Sequence, residues 1–401
     1  MRLRRILLVN SHNENTGDRA IVLTMIKHMR QLCPDARISV SCAKPELQMN
    51  DDAVYREYPL PVFESYPKYN LRDLLKGSLV LSGNFLSALC WRLLGKRVFL
   101  FNSGKKEILN DFFDADVVVS VGGGFISSDY SFLRPYHDLI LAKLLGKPTV
   151  LYGHSLGPFN SSIGKLLSKF VLKSTDLIIL RDGPSARNLE NLGIKDYHIT
   201  ADIAFDFSGF KKKPKTGKAI LCPREWVQRS RNSSKRYINF LQVVTKRLMS
   251  DYGIEIVFLP TDPEDLEFHS SLRQHMPEGV TFVDKIHAPD AAAEMMSEAD
   301  FVISSRLHPI VLASLSATPF FGLGWEHKVE EAASMLCDTT CSVGADSLDS
   351  SAEELIMERM KQRKKLSAEI ERKLPLVQKK ARHTMTIFKE TLERMGYSFS
   401  S

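Results

Sequence analysis

Residues 299–329, ADFVISSRLHPIVLASLSATPFFGLGWEHKV, decide the fold. Phe301, Val302 and Ile303 form a short apolar run that ends on Ser304, Ser305, Arg306 and His308. An apolar helical stretch with Pro309 near its start follows. A second apolar strand then ends at Trp325, Glu326, His327 and Lys328. Continuous apolar runs of this length suit strands of a parallel sheet covered on both faces by helices. In such a sheet a ligand sits beyond the carboxyl ends of the strands. The spacing therefore predicts that Arg306, His308 and Lys328 share one crevice. Two cations and an imidazole there suit an anionic substrate that has to be protonated.

The same alternation extends outward. Toward the amino end, strands are predicted at residues 5–9, 36–41, 116–121, 148–152 and 177–181. Helices are predicted at 18–31, 136–145, 163–174 and 184–192, the last closed by Gly193. Residues 208–218, SGFKKKPKTGK, are polar, basic and punctuated by Gly and Pro, and read as a linker. Beyond them, strands at 219–222, 254–259 and 281–283 alternate with helices at 235–251, 265–275 and 290–297. The pattern predicts an α/β fold of two Rossmann-like doubly wound domains facing a cleft, GT-B-like in architecture. Its parts are residues 1–207, a linker at 208–218, residues 219–350, and a helical basic tail at 351–401, broken near Pro375. Such an architecture does not by itself name a reaction.

A chain of 401 residues is too long for one ordinary core, and 44% hydrophobic with 25% charged residues describes a soluble globular protein. The net charge of +7 fits an anionic partner, and it gathers at residues 2–5, at 211–215 and in the carboxyl-terminal third. No basic run is interleaved with aromatics in the manner of a nucleic-acid platform, which argues against nucleic acid as a partner. The six cysteines form no C-x-x-C pair, and Cys337 and Cys341 lack a second Cys/His pair to complete a zinc site. They read as free, mostly buried thiols of a reducing cytosol, so a cytoplasmic location is expected, with the inner face of the membrane as a variant.

Residues 6–9 are too short for the core of a signal peptide and run into polar SHNENTGD, so they read as the first strand. Residues 77–91, GSLVLSGNFLSALCW, carry no charge but fall short of the ~20 residues a spanning helix needs. Flanked by Lys68, Arg72 and Lys76 before, and by Arg92, Lys96 and Arg97 after, they read first as a buried helix with basic ends. The second reading is a peripheral membrane contact.

Several loops at strand ends carry candidate chemistry. Gly122, Gly123 and Gly124 directly follow the strand VVVSV, where backbone N–H groups could turn toward an anion; a plain tight turn is the other reading. They form neither a dinucleotide fingerprint nor a P-loop. Asn15 and Asp18 lie between the first strand and the first helix, where Asp18 reads as an N-cap, and both residues and the Gly17 backbone are candidates for substrate contact. His154 follows another strand and is either structural or a proton donor. Arg224 follows the first strand of the second half and either pairs with Glu225 or grips a carboxylate or phosphate. At Arg306-x-His308, the plain reading is an Arg paired with an acid and a space-filling His. The functional one is an anion site at a helix start, with an imidazole that exchanges protons near neutral pH. Ser305 belongs to that site, and no metal-binding motif accompanies it.

The motifs GDRAI (17–21), VVVSVGGGFISS (117–128), GHSLGPF (153–159), LRDGPSARNLENLG (180–193), ADIAF (201–205) and SSRLHPIVLASLSATPFFGLGWEHKV (304–329) resemble the polysaccharide pyruvyl transferase family. The similarity runs from about residue 16 to residue 329. It implies transfer of pyruvate from phosphoenolpyruvate to a saccharide, commonly as a cyclic ketal. The acceptor would be free, lipid-linked or nucleotide-linked, and no cofactor is called for. On this resemblance the first domain takes the acceptor and the second takes phosphoenolpyruvate. Arg224, Arg306 and Lys328 would grip the donor, and His308 would be the general acid, with His327 and His154 as rivals. Asp18 and Asp129 would be candidate bases. Two other readings remain at this point: a glycosyltransferase using a nucleotide sugar, and a non-catalytic glycan-binding assembly protein.

Overall fold

The computed structural model describes residues 1–47, 52–58, 71–100, 105–128, 130, 133–225, 231–324 and 327–399, without the side chains of 71–76, 133, 231–233 and 345. Asp129, Trp325 and Glu326 therefore lie outside the described residues. By contacts the chain forms two compact units. The first comprises Met1–Glu14, Ile21–Ile203 and Lys380–Ser401; the second comprises Asn15–Ala20 and Ala204–Lys379.

The first unit is built from β1 (Arg5–Ser11), α1 (Thr16–Leu32), β2 (Arg37–Cys42), β3 (Val54–Glu57), α2 (Leu71–Leu94), α3 (Lys106–Asp114), β4 (Val117–Val121), α4 (Leu133–Leu144), β5 (Thr149–His154), α5 (Ser162–Ser174), β6 (Leu177–Leu180), α6 (Gly183–Asn191) and β7 (His198–Ile199). Its described strands form one sheet in the order β3-β2-β1-β4-β5-β6-β7, every pairing parallel. All five residues of VVVSV are buried, as a strand covered on both faces requires. The register Leu8↔Val119 and Val119↔Val150 sets β1, β4 and β5 side by side at the centre. Ser161 caps α5, accepting from the Gly164 N–H at 3.0 Å, and Asp182 caps α6 through Ser185 N–H at 2.9 Å. Gly193 ends α6 with a φ of +73°, the left-handed turn that favours glycine.

The second unit continues with β8 (Lys218–Cys222), α7 (Arg231–Tyr252), β9 (Glu255–Phe258), α8 (Pro263–Arg273), β10 (Thr281–Phe282), α9 (Pro289–Glu298), β11 (Ala299–Ser304), α10 (Leu307–Ser314), β12 (Phe320–Gly324), α11 (His327–Leu336), β13 (Ser342–Gly344), α12 (Ser350–Lys361) and α13 (Arg363–Arg394). Its described strands run β10-β9-β8-β11-β12-β13, again all parallel. Each unit is thus Rossmann-like and doubly wound, as the sequence predicts.

Three sequence expectations change. The tail is not broken at Pro375: α13 runs through it, because Leu374 and Val377 bury against the core and one lost backbone hydrogen bond does not outweigh that packing. The basic run at 211–215 is partly matched within the unit rather than wholly available to an anionic partner. Lys213 pairs with Glu294 and Glu298, both at 3.1 Å, and Lys215 donates to Ala299 O at 2.7 Å and Thr318 Oγ1 at 2.6 Å. Burial lowers the Lys215 pKa to about 8. Finally, α2 is no buried helix. Only 33% of residues 77–94 are buried, Val80, Asn84, Ser87 and Ala88 among them, while Phe85 and Trp91 are half-buried against the core that contains Phe112, Leu141 and Leu145.

Candidate active site

In the second unit the winding direction reverses between β8 and β11, which places a crevice outside the carboxyl ends of these two strands. Phe301–Ser304 run in register with Ala219–Cys222, and the Ser305 N–H donates to Cys222 O at 3.1 Å, prolonging the ladder by one residue. Arg224, two residues past β8, and Ser305, Arg306 and His308, just past β11, therefore lie at one edge. Lys328, in the first turn of α11 after the neighbouring strand β12, belongs to the same edge. Arg306 is the cap residue of α10, His308 its second residue and Pro309 its third. Proline fits there because first-turn N–H groups have no intrahelical acceptor.

Arg306 is matched by acids. Its Nε and Nη2 donate to Asp265 Oδ1 at 2.9 and 2.7 Å, and its Nη1 lies 3.3 Å from Asp262 Oδ2. Asp262 and Asp265 form the capping box of α8, so Arg306 ties the start of that helix to the end of β11. Burial works against the guanidinium charge, but Asp265 and Asp262 outweigh it and raise the Arg306 pKa. Burial likewise pushes the Asp265 carboxyl up, against the pull of Arg306. Ser305 is also engaged: its hydroxyl shares a 2.6 Å hydrogen bond with the buried Tyr237. Burial raises the Tyr237 pKa, opposed first by that hydrogen bond; Asp265 adds to the rise, while the charges of Arg224 and Arg306 lower it. Arg224 and Arg306 thus act on one phenol. Tyr237, Asp262 and Asp265 were not found by sequence reasoning, since they arrive from α7 and α8 at long separations. The capping pattern D-x-x-D before α8 was the one local signal.

His308 is held by an unexpected neighbour. A Cβ built on Gly17 would fall 1.9 Å from His308 Nδ1 and 2.1 Å from Cγ, so the imidazole rests directly on the glycine backbone. The segment bearing Gly17 is fixed to the same unit: Thr16 N–H donates to Thr261 O and Thr16 Oγ1 to His287 O, both at 2.9 Å. The first turns of α1 and α10 therefore meet at the imidazole, and both helix dipoles favour negative charge there. Asp18 is not the N-cap. Asn15 Oδ1 accepts the Asp18 N–H at 2.7 Å, and Asn15 Nδ2 donates to Asp18 Oδ2 at 2.7 Å, so Asn15 caps the helix and Asp18 holds the cap in place.

In the first unit the direction reverses between β1 and β4; Gly122, Gly123 and Gly124 directly follow β4, and His154 ends the next strand, β5. Gly122, Gly123 and Gly124 do not take the left-handed φ that favours glycine. What glycine provides is close approach: a Cβ on Gly122 would fall 2.7 Å from the Tyr152 and Gly153 carbonyl oxygens, and one on Gly123 would fall 2.4 Å from the Phe125 ring. His154 ends β5 rather than opening a loop. It is fully buried, with Nε2 3.2 Å from Ser120 O and Nδ1 without a hydrogen-bond partner among the described residues. Burial lowers its pKa to about 3, so it is neutral at physiological pH and poorly suited to donate a proton. Phe125 separates it from His12, which accepts from Arg134 at 2.6 Å. Burial, with the Arg134 charge behind it, holds His12 well below the ordinary imidazole value. His327 is 89% exposed beside Glu330. Among the three histidines proposed for proton transfer, His308 alone is seated between helix starts. Among the described residues, no three His, Cys, Asp or Glu side chains are grouped to hold a metal ion.

A sequence profile of the polysaccharide pyruvyl transferase family matches residues 15–327, the span that carries every candidate site residue above except Lys328. The chain belongs to this family. It is 26% identical over 265 residues to the amylovoran biosynthesis protein AmsJ of Erwinia amylovora, covering 57% of this chain and 62% of that relative. The chain thus spans less than two thirds of the curated relative's length. Solved structures share the fold. A UDP-GlcNAc 2-epimerase from Neisseria meningitidis bound to UDP-GlcNAc aligns with a TM-score of 0.56 at 14% identity, over 97% of this chain and 100% of that one. A glycosyltransferase from Rickettsia africae aligns with a TM-score of 0.58 at 12% identity, over 98% and 99%. At these identities the likeness concerns fold alone, and it supports the two-domain, GT-B-like architecture of this pyruvyl transferase family member.

Proposed function

We propose that the protein transfers a pyruvyl group from phosphoenolpyruvate to a saccharide in polysaccharide biosynthesis. The observation that carries this reading is the His308 imidazole seated on Gly17, where the first turns of α1 and α10 meet. Family membership supplies the reaction class. Phosphoenolpyruvate brings a carboxylate and a phosphate, both suited to helix starts and cations. Because acids already match Arg306, we assign it to positioning the α8 and α10 turns. Arg224 and Lys328 are assigned to the donor's charges.

In the proposed reaction His308 delivers its proton to the vinyl methylene carbon, and the enol C–C π bond breaks to form the methyl group. Positive charge develops at the adjacent carbon, and a sugar hydroxyl attacks it, forming a C–O bond and returning a proton to the imidazole. A second hydroxyl displaces phosphate at the same carbon and closes the ketal; its proton leaves with the phosphate. General acid–base steps of this kind contribute about 10²- to 10⁴-fold. The test incubates purified protein with phosphoenolpyruvate and a panel of lipid- and nucleotide-linked saccharides, following phosphate release and pyruvyl mass gain. His308→Gln is expected to lose about 10²- to 10⁴-fold in turnover while still binding phosphoenolpyruvate. Sugar transfer from a nucleotide sugar with no use of phosphoenolpyruvate would refute the reading. So would full activity of His308→Gln.

A further inference from the structure

We propose that one face of the first unit docks on the surface of an anionic phospholipid bilayer. Helix α4 is packed against both α2 and α5 and is itself largely buried. The α2 side chains Phe85, Ala88 and Trp91 share a core with Leu141 and Leu145 around α4. Tyr136 of α4 in turn donates to Ser168 of α5 at 2.7 Å and packs with Val171 and Leu172. Of the fifteen large hydrophobic residues exposed among those described, nine lie on these three helices. Scattered single apolar residues are ordinary on a protein surface, but their concentration on three neighbouring helices is not.

Both outer helices are apolar on the side that points away from the core. On α5 the exposed residues are Ile163, Leu166 and Phe170, at 81, 72 and 67% exposure. The i, i+3, i+7 spacing sets them in one stripe, while Gly164, Ser168, Val171 and Leu172 face inward. Lys165, Lys169 and Lys173 form a second exposed stripe at i, i+4, i+8 along its flank. On α2 the outward stripe is Leu79, Leu86, Leu89 and Leu93. Arg92 leans over Gly146 in the turn after α4, where a Cβ would fall 2.1 Å from its Nη1, and Lys96 follows. Residues 77–97 and 160–175 contain no Asp or Glu.

Apolar side chains with cations beside them and no acids match a bilayer surface, where acyl chains take the former and anionic headgroups the latter. A second copy of the chain is a poorer occupant, because a two-fold contact would set these lysines against each other. The surface also differs from a spanning segment, since the inner side of α2 is committed to the unit's core. The inference is independent of which group the enzyme transfers.

Flotation of the full-length protein with phosphatidylcholine vesicles, with and without phosphatidylglycerol, tests it. The protein is expected to float with the anionic vesicles, less so as salt rises, and to stay behind with neutral ones. Converting Lys165, Lys169 and Lys173 together to Gln is expected to weaken partitioning on the order of 100-fold, from the attraction of three surface cations. Ile163→Ser, Leu166→Ser and Phe170→Ser combined are expected to do the same, and Phe170→Ser alone to cost on the order of tenfold. All are exposed positions, so melting temperatures should match the parent, and the single variant serves if a triple variant does not fold. Absence of binding to anionic vesicles, or unchanged binding by folded variants, would overturn the proposal. A solution dimer that Phe170→Ser dissociates, with no vesicle binding, would overturn it in favour of self-association.

Discussion

Replacing Gly17 by Ala should disable the site without touching a charged group. The new methyl carbon would sit 1.9 Å from His308 Nδ1 and 2.5 Å from its Cβ. That is about 1.5 Å short of ordinary contact, so the imidazole or the first turn of α1 has to move by roughly that amount. The α1 turn is tied down by Thr16 bonding to Thr261 and His287, and the movement therefore falls mainly on His308. A displacement near 1 Å costs about 100-fold in rate when a catalytic group must meet a reacting atom. Overpacking costs about 1–3 kcal/mol of stability, while Ala in place of Gly in a helix returns up to about 1 kcal/mol. The expected result is a turnover loss of about 100-fold or more with a net destabilisation of about 1–2 kcal/mol. The decisive control is the double variant. In the His308→Gly background the ring and the Cβ that obstruct the methyl are both gone, and Gly17→Ala should then be neutral or stabilising by up to about 1 kcal/mol. Pyruvyl-transfer kinetics and urea unfolding of the four proteins complete the cycle. Equal destabilisation by Gly17→Ala in both backgrounds would refute the reasoning, as would parental activity of the single variant.

Two further perturbations probe the supporting structure. Asp265→Asn leaves Arg306 buried with its main partner neutralised, and breaking a buried pair from one side costs about 3–5 kcal/mol; an unshifted urea midpoint would show that Asp262 alone suffices. The buried imidazoles set an acid limit. Burial lowers His154 to about 3 and His269 to about 4, so the folded protein keeps both neutral where an unfolded chain takes up protons near pH 6.5. The unfolded state then binds more protons as pH falls below 6.5, and stability decreases by about 2 kcal/mol per histidine at pH 5. His269 lies against Phe258 and Phe282, so His269→Phe should flatten the fall in melting temperature between pH 6.5 and 5; an unchanged slope would count against burial as its cause.

The fold was legible because both-sided burial leaves a plain signature. Runs such as VVVSV and FVIS can hardly be anything but central strands, and the helices between them carry caps that sequence displays. The strand order was legible only in kind, as parallel and doubly wound. The candidate site was half legible for a related reason. Arg306, His308 and Ser305 follow one strand and Arg224 follows another, so the rule for open sheets gathers them without any knowledge of side-chain partners. What sequence could not supply was which group each would meet. Arg306 reads as an anion grip until Asp262 and Asp265 arrive from a helix more than forty residues earlier. Gly122 and Gly123 read as a turn or an anion contact, and only the Tyr152 and Gly153 carbonyls and the Phe125 ring show that both positions also lack room for a side chain. Gly17 reads as part of a turn, yet its missing side chain is what admits His308. Conformational need for glycine is written in the local sequence, through neighbours that make turns. Steric need is written elsewhere in the chain, on whatever element packs against it. A site assembled from helix starts will be misjudged from sequence wherever the second kind operates, and Gly17→Ala separates the two kinds directly.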